Sequence, residues 1–190
     1  MSAHGRTELR SCGRGFTLLE LLVTLAVVAI LGAISTPLFF SFYGNCCLKA
    51  LMWEIAGMVK EAKQSALGEK YYAISFDPAE GKISLLSGRG ADGKWNTADD
   101  EVVRSVRLRD KGGGLSFGYG SYGQRPGRYS SDDGIAFPNN NTLICNPDLT
   151  GNAGTVYICS RYGGAMALTM NSEDFGYTLR RWNGSGWERL

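Results

Sequence analysis

Glu20 is the strongest candidate for a functional residue, because it is the only charged side chain in the apolar stretch 16–43. An ionised carboxylate at membrane depth costs about 2.5–3.5 kcal/mol on insertion scales, so a partner of opposite charge is expected. One interpretation places Glu20 at the membrane surface, where its side chain reaches water. The other requires cleavage between Gly15 and Phe16, which creates a new α-ammonium that can pair with Glu20 of a neighbouring copy.

A second group of candidate ligands lies in the segment ADGKWNTADDE, residues 91–101. Gly93 allows a tight turn there. The oxygen-bearing side chains of the segment are those of Asp92, Asn96, Asp99, Asp100 and Glu101. Ca²⁺ takes about six to eight oxygen ligands, and a loop of this composition supplies many of them, although the spacing is not that of an EF-hand. The segment is therefore a candidate calcium site, and a solvated acidic turn is the alternative.

The cysteines and the C-terminal arginines offer two further chemistries. Cys145 and Cys159 lie near the ends of neighbouring predicted strands, and a disulfide between them would contribute roughly 3 kcal/mol. Cys46 and Cys47 are adjacent, so a bridge between them would be strained; free thiols, an intermolecular link and acylation all stay open. Arg180 and Arg181 lie near tryptophans in the sequence, and proteins bind single-stranded nucleic acid with such combinations of positive charge and aromatic rings. The alternative is a pair of strand-end arginines that face water.

Composition argues against catalysis and against nucleic acid as a partner. The one histidine of the chain is His4. If residues 1–15 are removed, Ser-His-Asp and Cys-His catalysis and histidine-ligated metals are excluded. The net charge of the whole chain is only +2, and the same cleavage leaves equal numbers of acidic and basic residues. A neutral chain has no general attraction to DNA. We therefore expect a protein that is not an enzyme, with nucleic acid as a disfavoured partner.

The elements that carry these residues begin with an anchor. Residues 16–43 would rise about 42 Å as a helix, which is enough to cross a hydrocarbon layer of about 30 Å. The preceding segment 1–15 holds Arg6, Arg10 and Arg14. A positive flank stays in the cytoplasm, so the chain after the anchor is placed outside it. Pro37 weakens the anchor helix, because it removes one backbone donor and clashes with the carbonyl of Ala33.

The rest of the chain predicts an amphipathic helix and then a β-domain. Residues 44–68 continue the helix with apolar residues at spacings of three and four, and Gly68 is its expected C-terminal stop. Residues 69–190 form the β-domain, an antiparallel sheet or two packed sheets docked on the helix. Within it, the Gly- and Tyr-rich stretch 112–134 is interpreted as a long mobile loop. The predicted strands are 71–76, 82–86, 102–108, 134–137, 142–145, 155–160, 165–170 and 176–182. The fold class is α+β.

The segment Gly15-Phe16-Thr17-Leu18-Leu19-Glu20-Leu21-Leu22 resembles the prepilin cleavage and N-methylation motif of type IV pilins and type II secretion pseudopilins. The resemblance implies that prepilin peptidase removes residues 1–15 and methylates the amine of Phe16. It also implies that Glu20 neutralises that amine in a growing filament. Pro37 falls where many pilins carry a helix-bending proline. The acidic segment 91–101 is similar to loops that bind calcium in some pilin-like proteins.

The end of the chain, residues 154–187, resembles the GspH/FimT group of minor pseudopilins and minor pilins. The two resemblances imply a pilin-like protein of the inner membrane with a periplasmic C-terminal domain. Its implied partners are other pilins or pseudopilins, prepilin peptidase, the inner-membrane assembly platform and the lipid bilayer. Such a subunit would help initiate or cap a type II secretion pseudopilus or a type IV pilus. The alternative is a DNA-binding minor pilin that acts in DNA uptake, although residues 175–181 lack the Gly-Arg-x-Arg pattern of those proteins.

Overall fold

The computed structural model describes residues 15–68, 70–123, 132–171 and 176–190. The chain divides between Leu38 and Phe39 into two units, and each is described by itself. Helix α1, Leu18–Ala66, begins in the first unit and ends in the second. Among the described residues, α1 is the helix that is long and apolar enough to cross a membrane.

The first unit contains the exposed apolar part of α1. The large hydrophobic residues from Leu18 to Leu38 are each at least half exposed. Ahead of Pro37, the hydroxyl groups of Ser35 and Thr36 donate to the carbonyls of Leu31 and Gly32, each at 2.7 Å. Hydroxyl groups that bond to the preceding turn often accompany a bend, as does a proline within a helix.

In the second unit, one face of α1 is buried. The spacing of three and four in the sequence puts the buried residues in a single stripe, as expected of an amphipathic helix. The stripe consists of Gly44, Leu48, Leu51, Met52, Ile55, Ala56, Met58, Val59, Ala62 and Ala66. The helix ends at Ala66, and a turn through Gly68 leads into the strands.

Two antiparallel sheets follow. The four-stranded sheet has the order β3-β2-β1-β5, and the five-stranded sheet has the order β4-β6-β7-β8-β9. The strands are β1 Tyr72–Asp77, β2 Lys82–Ser87, β3 Glu101–Arg107, β4 Leu115–Phe117, β5 Thr142–Cys145, β6 Gly154–Ser160, β7 Ala165–Met170, β8 Tyr177–Trp182 and β9 Trp187–Arg189. Two short segments connect strands, a 3₁₀-helix at Leu108–Lys111 and a single turn at Pro138–Asn141 whose asparagines have positive φ values.

One hydrophobic core joins both sheets to the buried stripe of α1. In the four-stranded sheet, Ile74 pairs with Leu85 and Leu143, and in the five-stranded sheet, Leu168 pairs with Val156 and Leu179. All six side chains are in this core. The predicted α+β fold is confirmed, and of the two arrangements left open the structure has two sheets.

Three local predictions need correction. Residues 134–137 are not a strand: Ile135 makes a single bridge to Val156, with one backbone hydrogen bond to β6 on each side, and Pro138, which has no N–H, follows at once. The stretch 112–134 is not all loop, because it contains β4; its residues 124–131 lie outside the described part of the chain. The sequence analysis also missed β9. Strands of three residues, such as β4 and β9, are too short to show a period of two.

Candidate functional site

The residues of the predicted cleavage motif lie just before α1. Gly15, Phe16 and Thr17 are non-helical, and the helix begins at Leu18. The Phe16 side chain is 76% exposed, and a β-carbon at Gly15 would meet no atom within 4 Å. The described part of the chain therefore leaves the bond between Gly15 and Phe16 uncovered. The rest of the predicted leader, residues 1–14, lies outside the described residues.

Glu20 lies in the first turn of α1. Its backbone N–H donates to the hydroxyl of Thr17 at 3.2 Å, a bond of the N-cap type that fixes where the helix starts. A carboxylate in the first turn also faces the positive end of the helix dipole. Its neighbours Leu19 and Leu21 are exposed apolar residues. The structure thus places one acid on an otherwise apolar helix surface, four residues after Phe16.

The N-terminal part of α1 presents a long exposed apolar surface. Between Leu18 and Tyr43, the large hydrophobic side chains are 42–77% exposed. Soluble proteins rarely leave a continuous apolar patch of this extent in water, and such patches mark membrane or protein contacts. We conclude that this segment is a membrane anchor, as its length and composition indicate.

The acidic loop 91–101 is fixed by its own carboxylates. Asp99 accepts the Thr97 hydroxyl at 2.7 Å and the Asp92 N–H at 3.2 Å. Asp100 accepts the N–H groups of Gly90 and Thr97 at 3.2 and 3.0 Å. The Thr97 hydroxyl, with help from the Asp92 N–H, lowers the pKa of Asp99. The loop therefore uses these carboxylates as acceptors for its own donors.

The structure does not gather the predicted calcium ligands into one cluster. In the part of the chain that the structure describes, no group of three or more His, Cys, Asp or Glu side chains could hold a metal ion. Asn96 donates to the Asn140 carbonyl at 3.3 Å, and Glu101 already belongs to β3. Calcium binding by residues 92–101 stays a prediction.

A hollow beside this loop was not foreseen from the sequence. Trp95, only 7% exposed, packs with Ala73, Leu86 and Ile144 in a second, smaller hydrophobic cluster. The Arg89 guanidinium lies 5.8 Å from the Trp95 ring centroid. A cavity of about 380 Å³ opens here, and its lining residues are Arg89, Gly93, Lys94, Trp95, Asn139, Asn140 and Ile144. The run of asparagines after Pro138 was the sequence feature that could have indicated a tight turn at this hollow, because asparagine tolerates the positive φ found there.

The structure does not form the predicted disulfide. The four cysteines in the described part of the chain, Cys46, Cys47, Cys145 and Cys159, are all free thiols. Cys145 ends β5 of the four-stranded sheet, whereas Cys159 belongs to β6 of the five-stranded sheet. The two strands follow each other in the chain but are not neighbours in a sheet. Burial raises the pKa of the Cys145 thiol to about 12, against a smaller opposing effect of Lys63.

Arg180 and Arg181 lie within β8 rather than at an open strand end. In the register of the sheet, Arg181 faces Glu188 of β9. The tryptophans beside them pack on tyrosines of the same chain: Trp182 lies 5.4 Å from Tyr122. Trp187 lies 5.4 Å from Tyr157 and donates its indole N–H to the Gly123 carbonyl at 2.7 Å. Both indole rings thus already contact aromatic side chains of this domain.

Comparison with known proteins agrees with the N-terminal motif. Residues 10–36 match the family model of the prokaryotic N-terminal methylation motif, which confirms the resemblance seen in Gly15, Phe16 and Glu20. One solved structure is similar: the minor pseudopilin EpsH from the type 2 secretion system of Vibrio cholerae. The similarity covers 72% of this chain and 94% of that one, at 13% identity and a TM-score of 0.41. No curated protein matches the chain.

Proposed function

We propose that this chain, which carries a prokaryotic N-terminal methylation motif, is a minor pilin-like subunit of an envelope filament machine. The machine would be a type II secretion pseudopilus or a type IV pilus, and the subunit would help initiate or cap the filament. The observation that carries the proposal is the arrangement at the N-terminus. Gly15 and Phe16, between which we propose cleavage, are exposed and non-helical, and they lie directly before the exposed apolar part of α1, which up to Tyr43 holds a single acid.

The first step is processing. Cleavage after Gly15 by prepilin peptidase would free the amine of Phe16, which the same enzyme would methylate. The site suits a protease because its backbone is not helical and its side chains contact little of the chain. The charged leader would stay on the cytoplasmic side, and the domain after α1 would lie in the periplasm.

The second step is assembly. Glu20 and the new amine of Phe16 both sit at the start of an anchor that has no other charge. In lipid, each charge alone is costly, and a paired ammonium and carboxylate on adjoining subunits lowers that cost. The pairing would favour helices packed side by side with a fixed stagger. The work of the protein is then assembly with other pilins or pseudopilins and the inner-membrane assembly platform, not catalysis.

The intact mass of the protein tests processing. We expect full-length protein in cells without prepilin peptidase, and in cells with the enzyme a form that begins at a methylated Phe16. Gly15→Val should block the change, because valine adds a branched side chain next to the scissile bond. Gly32→Val is the matched control, since Gly32 is another exposed glycine with open space around it. Material that begins at Met1 in the presence of the enzyme contradicts the proposal.

A further inference from the structure

The turn between β6 and β7, residues 161–164, packs on α1 at the point where the apolar anchor ends. The Tyr162 ring stacks on Phe40, with 5.1 Å between centroids and 23° between the planes. A β-carbon at Gly164 would run into the Asn45 side chain, so the turn touches the helix here as well. The Gly164 N–H also donates to the Tyr122 hydroxyl at 2.9 Å. Two contacts, at Phe40 and at Asn45, therefore join the turn to the helix, and the bond to Tyr122 ties it to the loop after β4.

Tyr162 completes a group of rings that we name the aromatic collar: Phe39, Phe40, Tyr43 and Tyr162. Phe39 lies 6.0 Å from Phe40 and 6.4 Å from Tyr43. Although these rings contact one another, Phe39 is 63% exposed, Phe40 and Tyr43 are 42% exposed, and Tyr162 is 38% exposed. Three rings come from the helix and one from the sheet domain. The collar is thus a continuous aromatic surface that the described part of the chain leaves uncovered.

The depth of the collar follows from the length of the anchor. About 20 helical residues cross the hydrocarbon layer, so a crossing that begins near Leu18 ends close to Phe39. Residues at that level occupy the interface between lipid and water, where tyrosine is enriched because its ring is apolar and its hydroxyl is polar. Tyr162 is stacked on Phe40 and must share its depth.

The chemistry of the turn fits a headgroup layer. Arg161 is exposed next to Tyr162, and its backbone N–H donates to the Gly114 carbonyl at 2.9 Å, which fixes its position. Lys111 is already paired with Glu54, with 2.7 Å between Nζ and the carboxylate. An exposed arginine at the membrane surface is attracted to anionic lipid phosphates.

We infer that the β6–β7 turn is a second membrane contact of this protein, in which Tyr162 sits among the lipid headgroups and Arg161 binds their phosphates. The inference rests on the proposed function in one respect: α1 must be inserted in the bilayer. This contact exists before the subunit enters a filament. The occupant of the collar in this state is lipid, not a second copy of the chain.

Photo-crosslinking in nanodiscs tests this contact. The full chain, one copy per disc, carries p-benzoylphenylalanine at position 162, and lipid adducts are measured by mass spectrometry. Tyr71 is the matched control position: it is a tyrosine of similar exposure, 41%, and it follows the far end of α1. Ile30, in the middle of the anchor, is the positive control. We expect adducts at positions 30 and 162 and several-fold fewer at position 71.

The outcomes separate the two proposals. Adducts at position 30 without an excess at 162 over 71 would overturn the membrane contact and leave the anchor intact. Adducts between two protein chains at 162, in discs that hold two copies, would assign the collar to a sister subunit instead. The absence of lipid adducts at position 30 would contradict the insertion of α1 and, with it, the proposed function.

The role of Arg161 has its own test. In discs that contain phosphatidylglycerol, Arg161→Gln should lower the adduct yield at position 162, whereas in pure phosphatidylcholine discs the effect should be smaller. Arg89→Gln is the matched control, because Arg89 is exposed and stacks on Tyr71 at the other end of the domain. Equal yields for Arg161→Gln and the unchanged chain in anionic discs would show that the arginine does not bind phosphate.

Discussion

Gly44 of α1 lies directly against Ser160 at the end of β6, and a β-carbon at position 44 would collide with the serine hydroxyl. That hydroxyl donates a 2.7 Å hydrogen bond to the Gly113 carbonyl and accepts the Tyr162 N–H at 3.2 Å. Because Gly44 has no side chain, the helix can approach Ser160, which is bonded both to Gly113 and to Tyr162 of the β6–β7 turn. The hydrogen bond from Tyr162 to Ser160 also helps to hold the Tyr162 ring against Phe40 of the helix.

Gly44→Ala should destabilise the β-domain by about 1–3 kcal/mol, because overpacking forces the Ser160 hydroxyl out of its hydrogen bonds. Gly57→Ala is the matched control on the same helix, since Gly57 is exposed and a β-carbon there would have no atom within 4 Å. It should stabilise by about 0.5–1 kcal/mol through helix propensity. Urea unfolding of the full chain in micelles, followed by tryptophan fluorescence, measures both. Equal shifts for the two variants would contradict the proposed contact.

Glu20→Gln should leave membrane insertion intact and block incorporation into filaments. The amide keeps the size of the side chain but cannot neutralise an α-ammonium on the adjoining subunit. Carbonate extraction measures insertion, and co-purification with sheared filaments measures incorporation. Thr24→Ala is the control one turn further along α1, and it should incorporate normally, because it removes only a hydroxyl that bonds to the Leu21 carbonyl. Normal incorporation of Glu20→Gln would show that the carboxylate has no assembly role.

Cys145 should resist alkylation in the folded protein, whereas Cys46 should react quickly. Cys46 is exposed, and burial raises the pKa of the Cys145 thiol to about 12, so almost none of it is thiolate at neutral pH. Labelling with iodoacetamide at pH 8, read by peptide mass spectrometry, gives both rates. After unfolding without a reductant, Cys145 and Cys159 should both be labelled. Protection of this pair in the unfolded chain would restore the disulfide hypothesis.

The raised pKa of Cys145 also predicts how the free energy of unfolding changes with pH. The unfolded thiol ionises near its ordinary pKa of 9.0, while the folded thiol stays protonated up to about 12. Between these values the unfolded state binds fewer protons, so the free energy of unfolding falls as the pH rises. Cys145→Ala should make this fall less steep in urea unfolding at pH 8 to 11. An unchanged slope would mean that the thiol is not desolvated.

Protonation of the Asp99 carboxylate at low pH should loosen the loop that contains Trp95. The Thr97 hydroxyl and the Asp92 N–H lower the pKa of Asp99 below its ordinary 3.8. The stabilisation is therefore present above that value and is lost as the pH falls through the lower, folded-state pKa. Asp99→Asn should release Trp95 at neutral pH, detected as a red shift of its fluorescence. Asp148→Asn is the control, since Asp148 has the same kind of lowered pKa, caused by Thr150, in a different turn.

The calcium hypothesis for residues 92–101 can be checked on the same variants. An ion that binds only the folded state raises the unfolding midpoint as its concentration increases. A calcium site there would give a higher midpoint with Ca²⁺ than with a chelator, and Asp99→Asn would remove that increase while Asp148→Asn would keep it. A midpoint that does not respond to Ca²⁺ in the unchanged chain would rule the site out.

Local sequence is enough to predict the features that depend on neighbouring residues. The spacing of Gly15, Phe16 and Glu20, the apolar anchor and the buried stripe of α1 all follow from local pattern, and the family model matches the same N-terminal residues. Strands of four or more residues, such as β1 and β6, are also predictable, because alternation and β-branched residues mark them.

Which distant segments meet depends instead on the folded chain. Cys145 and Cys159 lie on strands that are consecutive among those predicted from the sequence, yet β5 pairs with β1 while β6 pairs with β4 and β7, so the thiols end in separate sheets. Tyr162 reaches Phe40, and Ser160 reaches Gly44, across more than half of the chain. Hydrophobic periodicity assigns a residue to a buried face but not to a partner on that face. Sheet order, and with it the aromatic collar, is set by how both sheets share one core with the helix.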